Sequence, residues 1–120
     1  MEEDRKYKIK GVEFEIDMDD ADFQKKFHDS IEKMEEDEKE VSKRSLAHEV
    51  TIAYCDMYDN FFDRIFGHGT SEKMFGKKKN SRFREEAYDQ FLGIANKQVI
   101  QTSERRKQMA AKFGKYRPKK

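Results

Sequence analysis

Residues 58–76 read Tyr-Asp-Asn-Phe-Phe-Asp-Arg-Ile-Phe-Gly-His-Gly-Thr-Ser-Glu-Lys-Met-Phe-Gly, the densest aromatic cluster of the chain. The pattern predicts the end of a buried helix, a glycine turn, a one-turn helix and a second glycine stop. Gly67 suits the position after a helix because it accepts a left-handed conformation. Thr70 is predicted to cap the short helix, and Met74 and Phe75 to fold back onto the core.

Two amphipathic segments precede this stretch. In the first, Asp19 or Asp20 is the predicted N-cap, and apolar residues then recur at helical spacing. They are Phe23, Phe27, Ile31 and Met34. The second runs from Leu46 to Phe66. A break near residues 38–44 is predicted from lost apolar residues, with Ser42 and Ser45 as candidate caps; one continuous helix is the alternative.

The first strand signal lies at Tyr7–Ile16, where apolar and polar residues alternate. Lys10-Gly11 falls where a two-residue hairpin turn is expected. In this register Ile9 faces Val12 and Tyr7 faces Phe14.

A last helix is predicted to begin at Asn80 or Ser81 and to end at Gly114. Its apolar face is Phe83, Ala87, Phe91, Ile94 and Ala95. Residues 115–120 are predicted to be a basic extended tail. The fold is therefore predicted as α+β and mostly α: an N-terminal β-hairpin packed on a bundle of three to four helices. Residues 1–114 are predicted to form one domain.

Composition restricts the classes of protein. Only 35% of the 120 residues are hydrophobic and 42% are charged, which predicts a thin core or a surface completed by a partner. A single cysteine, Cys55, excludes an intrachain disulfide and fits a reducing compartment. The N-terminal residues contain no apolar run, so neither a signal peptide nor a membrane span is expected. A cytoplasmic location without membrane contact is expected.

The net charge of +1 conceals a strong polarity along the chain. Residues 1–40 carry 16 acids and 8 bases, whereas residues 97–120 carry 1 acid and 9 bases. The basic end is therefore a candidate to dock on an acidic surface, namely nucleic acid, an acidic partner or the acidic end of another copy. Solvated helix faces that happen to differ in sign are the alternative.

No candidate motif has the residue spacing that its chemistry requires. The glycines at 67, 69 and 76 do not fit a phosphate loop, because six residues separate Gly69 from Gly76 and Lys78 replaces the required Ser or Thr. The three histidines, His28, His48 and His68, have no second His or Cys at metal-ligand spacing. We expect no enzyme activity, no catalytic residue, no cofactor and no metal.

The basic C-terminal segment is the candidate nucleic-acid site, since its cations are interleaved with Phe113 and Tyr116. Its basic residues are Arg105, Arg106, Lys107, Lys112, Lys115, Arg117, Lys119 and Lys120. A further alternative is an inhibitor of a host enzyme or defence system, in which the acidic residues 13–40 would mimic the charge of DNA.

Three segments together resemble a family of small proteins encoded in phages and prophages of Gram-positive bacteria. They are Tyr7–Ile16, Asn60–Gly76 and Lys115–Pro118, and the middle one is the most specific. That family resembles the tail assembly chaperones of long-tailed phages, which share an N-terminal hairpin of the Ile-x-Gly-x-x-Phe kind, found here at Ile9–Phe14.

This resemblance implies a protein of the bacterial host cytoplasm that binds the tape measure protein and helps tail tube subunits to polymerise around it. Such a chaperone needs an apolar surface for a partner helix. The residues predicted to supply it are Phe61, Phe62, Phe66, Met74 and Phe75, for which ordinary core packing is the alternative. The opposed charges of the two ends favour self-association.

Overall fold

The computed structural model describes residues 5–116, with side chains through Gly114. The elements are β1 (Lys6–Ile9), β2 (Val12–Glu15), α1 (Ala21–Val41), α2 (Ala47–Phe66), α3 (Thr70–Phe75) and α4 (Ser81–Tyr116). The two strands form an antiparallel hairpin, and 74% of the described residues are helical. The predicted α+β, mostly α class is confirmed, with four helices after the hairpin.

The hairpin has the predicted register. Tyr7 pairs with Phe14 and Ile9 pairs with Val12. Lys10 and the glycine that follows it both have positive φ, 50° and 78°, as a tight type I′ turn requires. Ile9 and Phe14 are buried, so the apolar face of the hairpin lies on the helices.

The break between the first two helices is confirmed, and the alternative of one continuous helix is wrong. α1 ends at Val41 and α2 begins at Ala47. Ser42 closes α1, but Ser45 does not cap α2. The N-cap residue is Leu46, whose side chain makes no capping hydrogen bond.

The core is centred on Phe91 of α4, whose side chain is fully buried. Its ring centroid lies 5.7 Å from that of Phe27 in α1. In α2, the centroids of Phe61, Phe62 and Phe66 lie 5.6, 6.0 and 5.8 Å away. The three α2 contacts are edge-on, a favourable aromatic geometry. One side chain thus holds three helices together.

The predicted stop at Gly114 is wrong, because α4 continues to Tyr116. Gly114 is not among the glycines with positive φ, and an interior glycine costs a helix only about 1 kcal/mol. α4 has 36 residues and is therefore about 54 Å long. The molecule accordingly measures 67 × 30 × 20 Å. Residues 117–120 of the predicted tail lie outside the described residues.

Candidate protein-binding surfaces

The five residues predicted to form a partner surface belong instead to the core. Phe61 and Phe62 have no exposed surface, and Met74 is 8% exposed. Phe66 and Phe75 are half-buried and pack against the same cluster. The fold therefore places these side chains in or against the core, as the interpretation of ordinary core packing expects.

A cap supplied by α2 explains why this segment folds inward. The carboxylate of Asp63 accepts hydrogen bonds from Ser71 N at 2.8 Å and Ser71 Oγ at 3.2 Å, which caps α3 from a distance. Thr70, the predicted cap, instead donates its hydroxyl to the carbonyl of Gly67 at 2.7 Å. Gly69 is the N-cap residue and has a left-handed φ of 91°. The turn thereby folds α3 against α2.

A buried arginine fixes the junction between α3 and α4. Arg84 has no exposed surface, and its Nε donates to Asp59 Oδ1 at 2.8 Å. Its Nη1 donates to the carbonyls of Lys78 and Asn80 at 2.9 and 3.0 Å. The guanidinium also lies 4.8 Å from the ring centroid of Phe75. The guanidinium makes these contacts with other groups of the same chain, so we interpret Arg84 as a structural residue.

An open groove runs along α4 beside the start of α1, and we call it the α1–α4 groove. Its first section has a volume of ≈540 Å³ and is lined mainly by apolar side chains. They include Met18, Phe27, Leu92, Ala95 and Val99. A second section of ≈430 Å³ shares Met18 and Val99 and extends to Ala110. The distance from Leu92 to Ala110 along the helix is about 27 Å, or about five turns.

Along the second section of the groove, α4 leaves the body of the molecule. Residues 103–114, which we call the projecting end, are all exposed. The helical period places Met109 and Phe113 on the same face of α4 as Phe91 and Ala95. Phe91 is buried, whereas Met109 and Phe113 are 43% and 61% exposed. The apolar face of the helix thus continues past the body that covers its first half.

A charged cluster holds α4 at the point where it leaves the body. The carboxylate of Asp19 accepts hydrogen bonds from Thr102 Oγ1 and, at 3.2 and 2.9 Å, from both terminal nitrogens of Arg105. Arg5 Nη2 donates to the same carboxylate at 3.2 Å. The hydrogen bond from Arg105, followed by that from Thr102, lowers the pKa of Asp19 to about 2.

A match over most of the chain identifies its family. A family model described as "Family of unknown function (DUF6673)" matches residues 10–120. The chain belongs to the DUF6673 family. No curated protein and no solved structure matches this DUF6673 chain. The match includes both candidate surfaces, the α1–α4 groove and the projecting end.

The predicted basic tail of the DUF6673 protein is only partly available to a ligand. Arg105 is held by Asp19, and Lys107 Nζ lies 3.7 Å from a carboxylate oxygen of Glu104. Arg106 and Lys112 are exposed, and within residues 5–114 neither takes part in an ion pair. The remaining basic residues are Lys115, in the last turn of α4, and Arg117, Lys119 and Lys120, outside the described residues.

The three histidines and Cys55 are the remaining candidates in the DUF6673 protein for binding a metal or reacting. His28 Nε2 lies 2.7 Å from Glu32 on an exposed face of α1, and His48 and His68 are also exposed. Burial raises the pKa of the Cys55 thiol. Among the described residues, no three potential ligands gather where they could hold a metal ion. Within residues 5–116, no helix combines the length and apolar character needed to cross a membrane.

Proposed function

We propose that this protein is a non-enzymatic, tail assembly chaperone-like protein of a phage or prophage. It works in the cytoplasm of the bacterial host. There it binds an apolar helix of the tape measure protein and assists assembly of the tail tube. The resemblance of Tyr7–Ile16 and Asn60–Gly76 to that family supplies the biological role. The α1–α4 groove supplies a surface for it.

The observation that carries the proposal is the length and lining of the α1–α4 groove. A groove of about five turns accommodates an amphipathic helix, which binds through apolar residues spaced three and four apart. Val99 lies in both sections of the groove and is 47% exposed. Because almost half of this apolar side chain is exposed to water, its burial under a partner helix would contribute favourable free energy to binding.

The charges at the ends of the groove define the chemistry of the partner. Asp89 lies in the section of the groove on the body, while Arg106 and Lys107 lie in the section formed by the projecting end. A bound helix is therefore expected to carry acidic residues at the end that meets Arg106. Electrostatic complementarity of this kind fixes the direction of the bound helix.

The test is co-expression with the tape measure protein of the same phage. The native chain should increase the soluble fraction of the tape measure protein and purify with it. Val99→Asp should abolish both effects, because a carboxylate would be desolvated in the apolar groove. The matched control is Ile100→Asp, since Ile100 is 57% exposed and lines neither section of the groove.

The result that contradicts the proposal is equally specific. If the native chain leaves the tape measure protein insoluble, the chaperone function is wrong. If Val99→Asp and Ile100→Asp behave alike while the native chain rescues solubility, the function stands but the groove is the wrong surface.

Nucleic-acid binding is the second candidate, favoured by Arg106, Lys112 and the 61% exposed ring of Phe113 on one projecting helix. Such a site would lose affinity steeply with added salt, and deletion of residues 105–120 would abolish binding. A single-stranded DNA titration at two salt concentrations distinguishes it. Binding that ignores salt, or survives the deletion, excludes this candidate.

A further inference from the structure

A small apolar pocket with an acidic rim lies on the side of the molecule formed by α1, α2 and α4. We call it the acidic pocket; its volume is ≈250 Å³. Its lining combines Ile31, Met34, Met57, Tyr58 and Tyr88 with two carboxylates. The rings of Tyr58 and Tyr88 lie 5.3 Å apart at one wall. Aromatic walls of this kind accept a further ring.

The carboxylates at the rim are Glu35 and Glu38. Other acids of α1 are paired: Asp29 with Lys25, and Glu36 with Lys33. Within the described residues, neither Glu35 nor Glu38 takes part in an ion pair. The pocket therefore presents two free negative charges beside an apolar cavity.

The projecting end of α4 has the complementary chemistry. Phe113, 61% exposed, is an aromatic side chain at the far end of the helix. Lys112 precedes it, and Arg106 lies two turns earlier on the same side of the helix. An exposed ring flanked by cations thus matches an aromatic pocket flanked by carboxylates.

The pocket and the ring that fits it cannot meet within one chain. Tyr88 of the pocket and Phe113 lie on the same helix, 25 residues apart, which is about 37 Å. Pairing of two projecting ends with each other is also unfavourable, because it would bring Arg106 and Lys112 of both copies together. The acidic pocket of a second copy combines an apolar cavity with the opposite charge.

We propose that the protein associates head to tail, with Phe113 of one copy in the acidic pocket of the next copy and its cations beside Glu35 and Glu38. A pair of copies joined in this way keeps one free projecting end and one free pocket. A heterologous contact of this kind extends into a ring or a filament. The charge polarity of the chain, acidic before residue 40 and basic after residue 97, has the direction this requires.

The first test is sedimentation velocity of the purified chain over a range of concentrations. We expect association that strengthens with concentration and weakens between about 0.1 M and about 1 M salt, since the Debye length falls from about 10 to about 3 Å. Phe113→Asp should reduce the association constant about thirtyfold or more, as expected for a buried aromatic contact. Ile100→Asp changes a comparably exposed residue elsewhere on α4 and should leave association unchanged.

The acidic pocket is tested by Glu35→Lys with Glu38→Lys, which should abolish association. The matched control is Glu36→Lys with Glu40→Lys, an identical charge change at exposed positions on the face of α1 turned away from Glu35 and Glu38. Circular dichroism and the urea midpoint of each variant verify that it is folded.

Mixing the two defective proteins gives the sharpest result. The Phe113→Asp chain retains its pocket and the Glu35→Lys, Glu38→Lys chain retains its ring. Neither should associate alone, yet together they should form a one-to-one dimer that grows no further.

Three outcomes overturn the proposal. They are a native chain that stays monomeric at every concentration, association that survives the pocket variant, and a mixture that remains monomeric. Because no tape measure protein is present, these results do not depend on the proposed chaperone function.

Discussion

The two halves of α4 have the same periodicity and opposite surroundings. In the body, Phe91 is fully buried among four aromatic rings from α1 and α2. Met109 and Phe113, which lie 18 and 22 residues later on the same face of the helix, are exposed to water. The apolar pattern of a helix therefore identifies the face that contacts something, and the rest of the fold determines whether that contact is within the chain.

The largest expected difference between the halves is in stability. Phe91→Ala should lower the free energy of unfolding by about 4 kcal/mol, because it opens a cavity among packed rings. Phe113→Ala should change it by less than about 0.5 kcal/mol, since its ring is exposed. Urea denaturation at low protein concentration and high salt measures both. A comparable cost for the two variants would mean that the projecting end packs on the body.

The second difference concerns ion pairs. Asp59→Ala should cost about 3 kcal/mol, because it leaves the guanidinium of Arg84 buried without its carboxylate. The exposed pair of Glu104 and Lys107 in the projecting end is the comparison, and Glu104→Ala should cost less than about 0.5 kcal/mol. Adding Arg84→Met to Asp59→Ala should restore part of the lost stability. If the double variant is less stable than Asp59→Ala, the unpaired charge is not the cause.

The boundary between the halves should respond to pH through Asp19. The pKa of this carboxyl is lowered from 3.8 to about 2 in the folded chain, so the stabilisation is complete above pH 3.8 and is lost as the pH falls toward 2. Solvent screening at this partly exposed site limits the effect to about 1 kcal/mol. The effect is measured as the difference in unfolding free energy between the native chain and Asp19→Asn at each pH. If this difference is constant from about pH 6 to about pH 2, the contacts of the Asp19 carboxylate do not stabilise the fold.

The smallest effect is expected at Gly114. Gly114→Ala should stabilise the last turns of α4 locally by about 0.5–1 kcal/mol, because alanine loses less backbone entropy than glycine in a helix. Amide hydrogen exchange in the projecting end should slow, whereas the urea midpoint of the body should not change. Faster exchange in the variant would indicate that the chain is not helical at this position.

Local sequence signals predicted much of the fold. Alternation over Tyr7–Ile16 and the Lys10-Gly11 turn gave the hairpin register, because both depend on neighbouring residues. Asp20 caps α1 as one of the two predicted residues, its carboxylate accepting from Phe23 N at 2.9 Å. The break after Val41 followed from the loss of apolar residues. Gly114 was misjudged because a glycine near a chain end resembles a helix stop whether or not its φ is positive.

The candidate surfaces were harder to predict, because they depend on which elements meet. Phe61 and Phe62 have the same helical spacing whether they face a partner or the core. Arg84 gave one usable signal: it lies three residues before Ala87 and seven before Phe91, on the core face. Nothing local indicates that Asp59 is its partner, 25 residues earlier in the chain.

The sequence by itself determined the hairpin, the helices, the apolar face of each helix and the separation of negative from positive charge. These properties arise from the period of side chains along a strand or helix and from composition. The tertiary structure decided that the apolar side chains of the Tyr58–Gly76 segment pack in or against the core, and that α4 is longer than the body that covers it. Burial is a property of contacts between distant segments, so the surfaces left open for a partner became visible only when the helices were assembled.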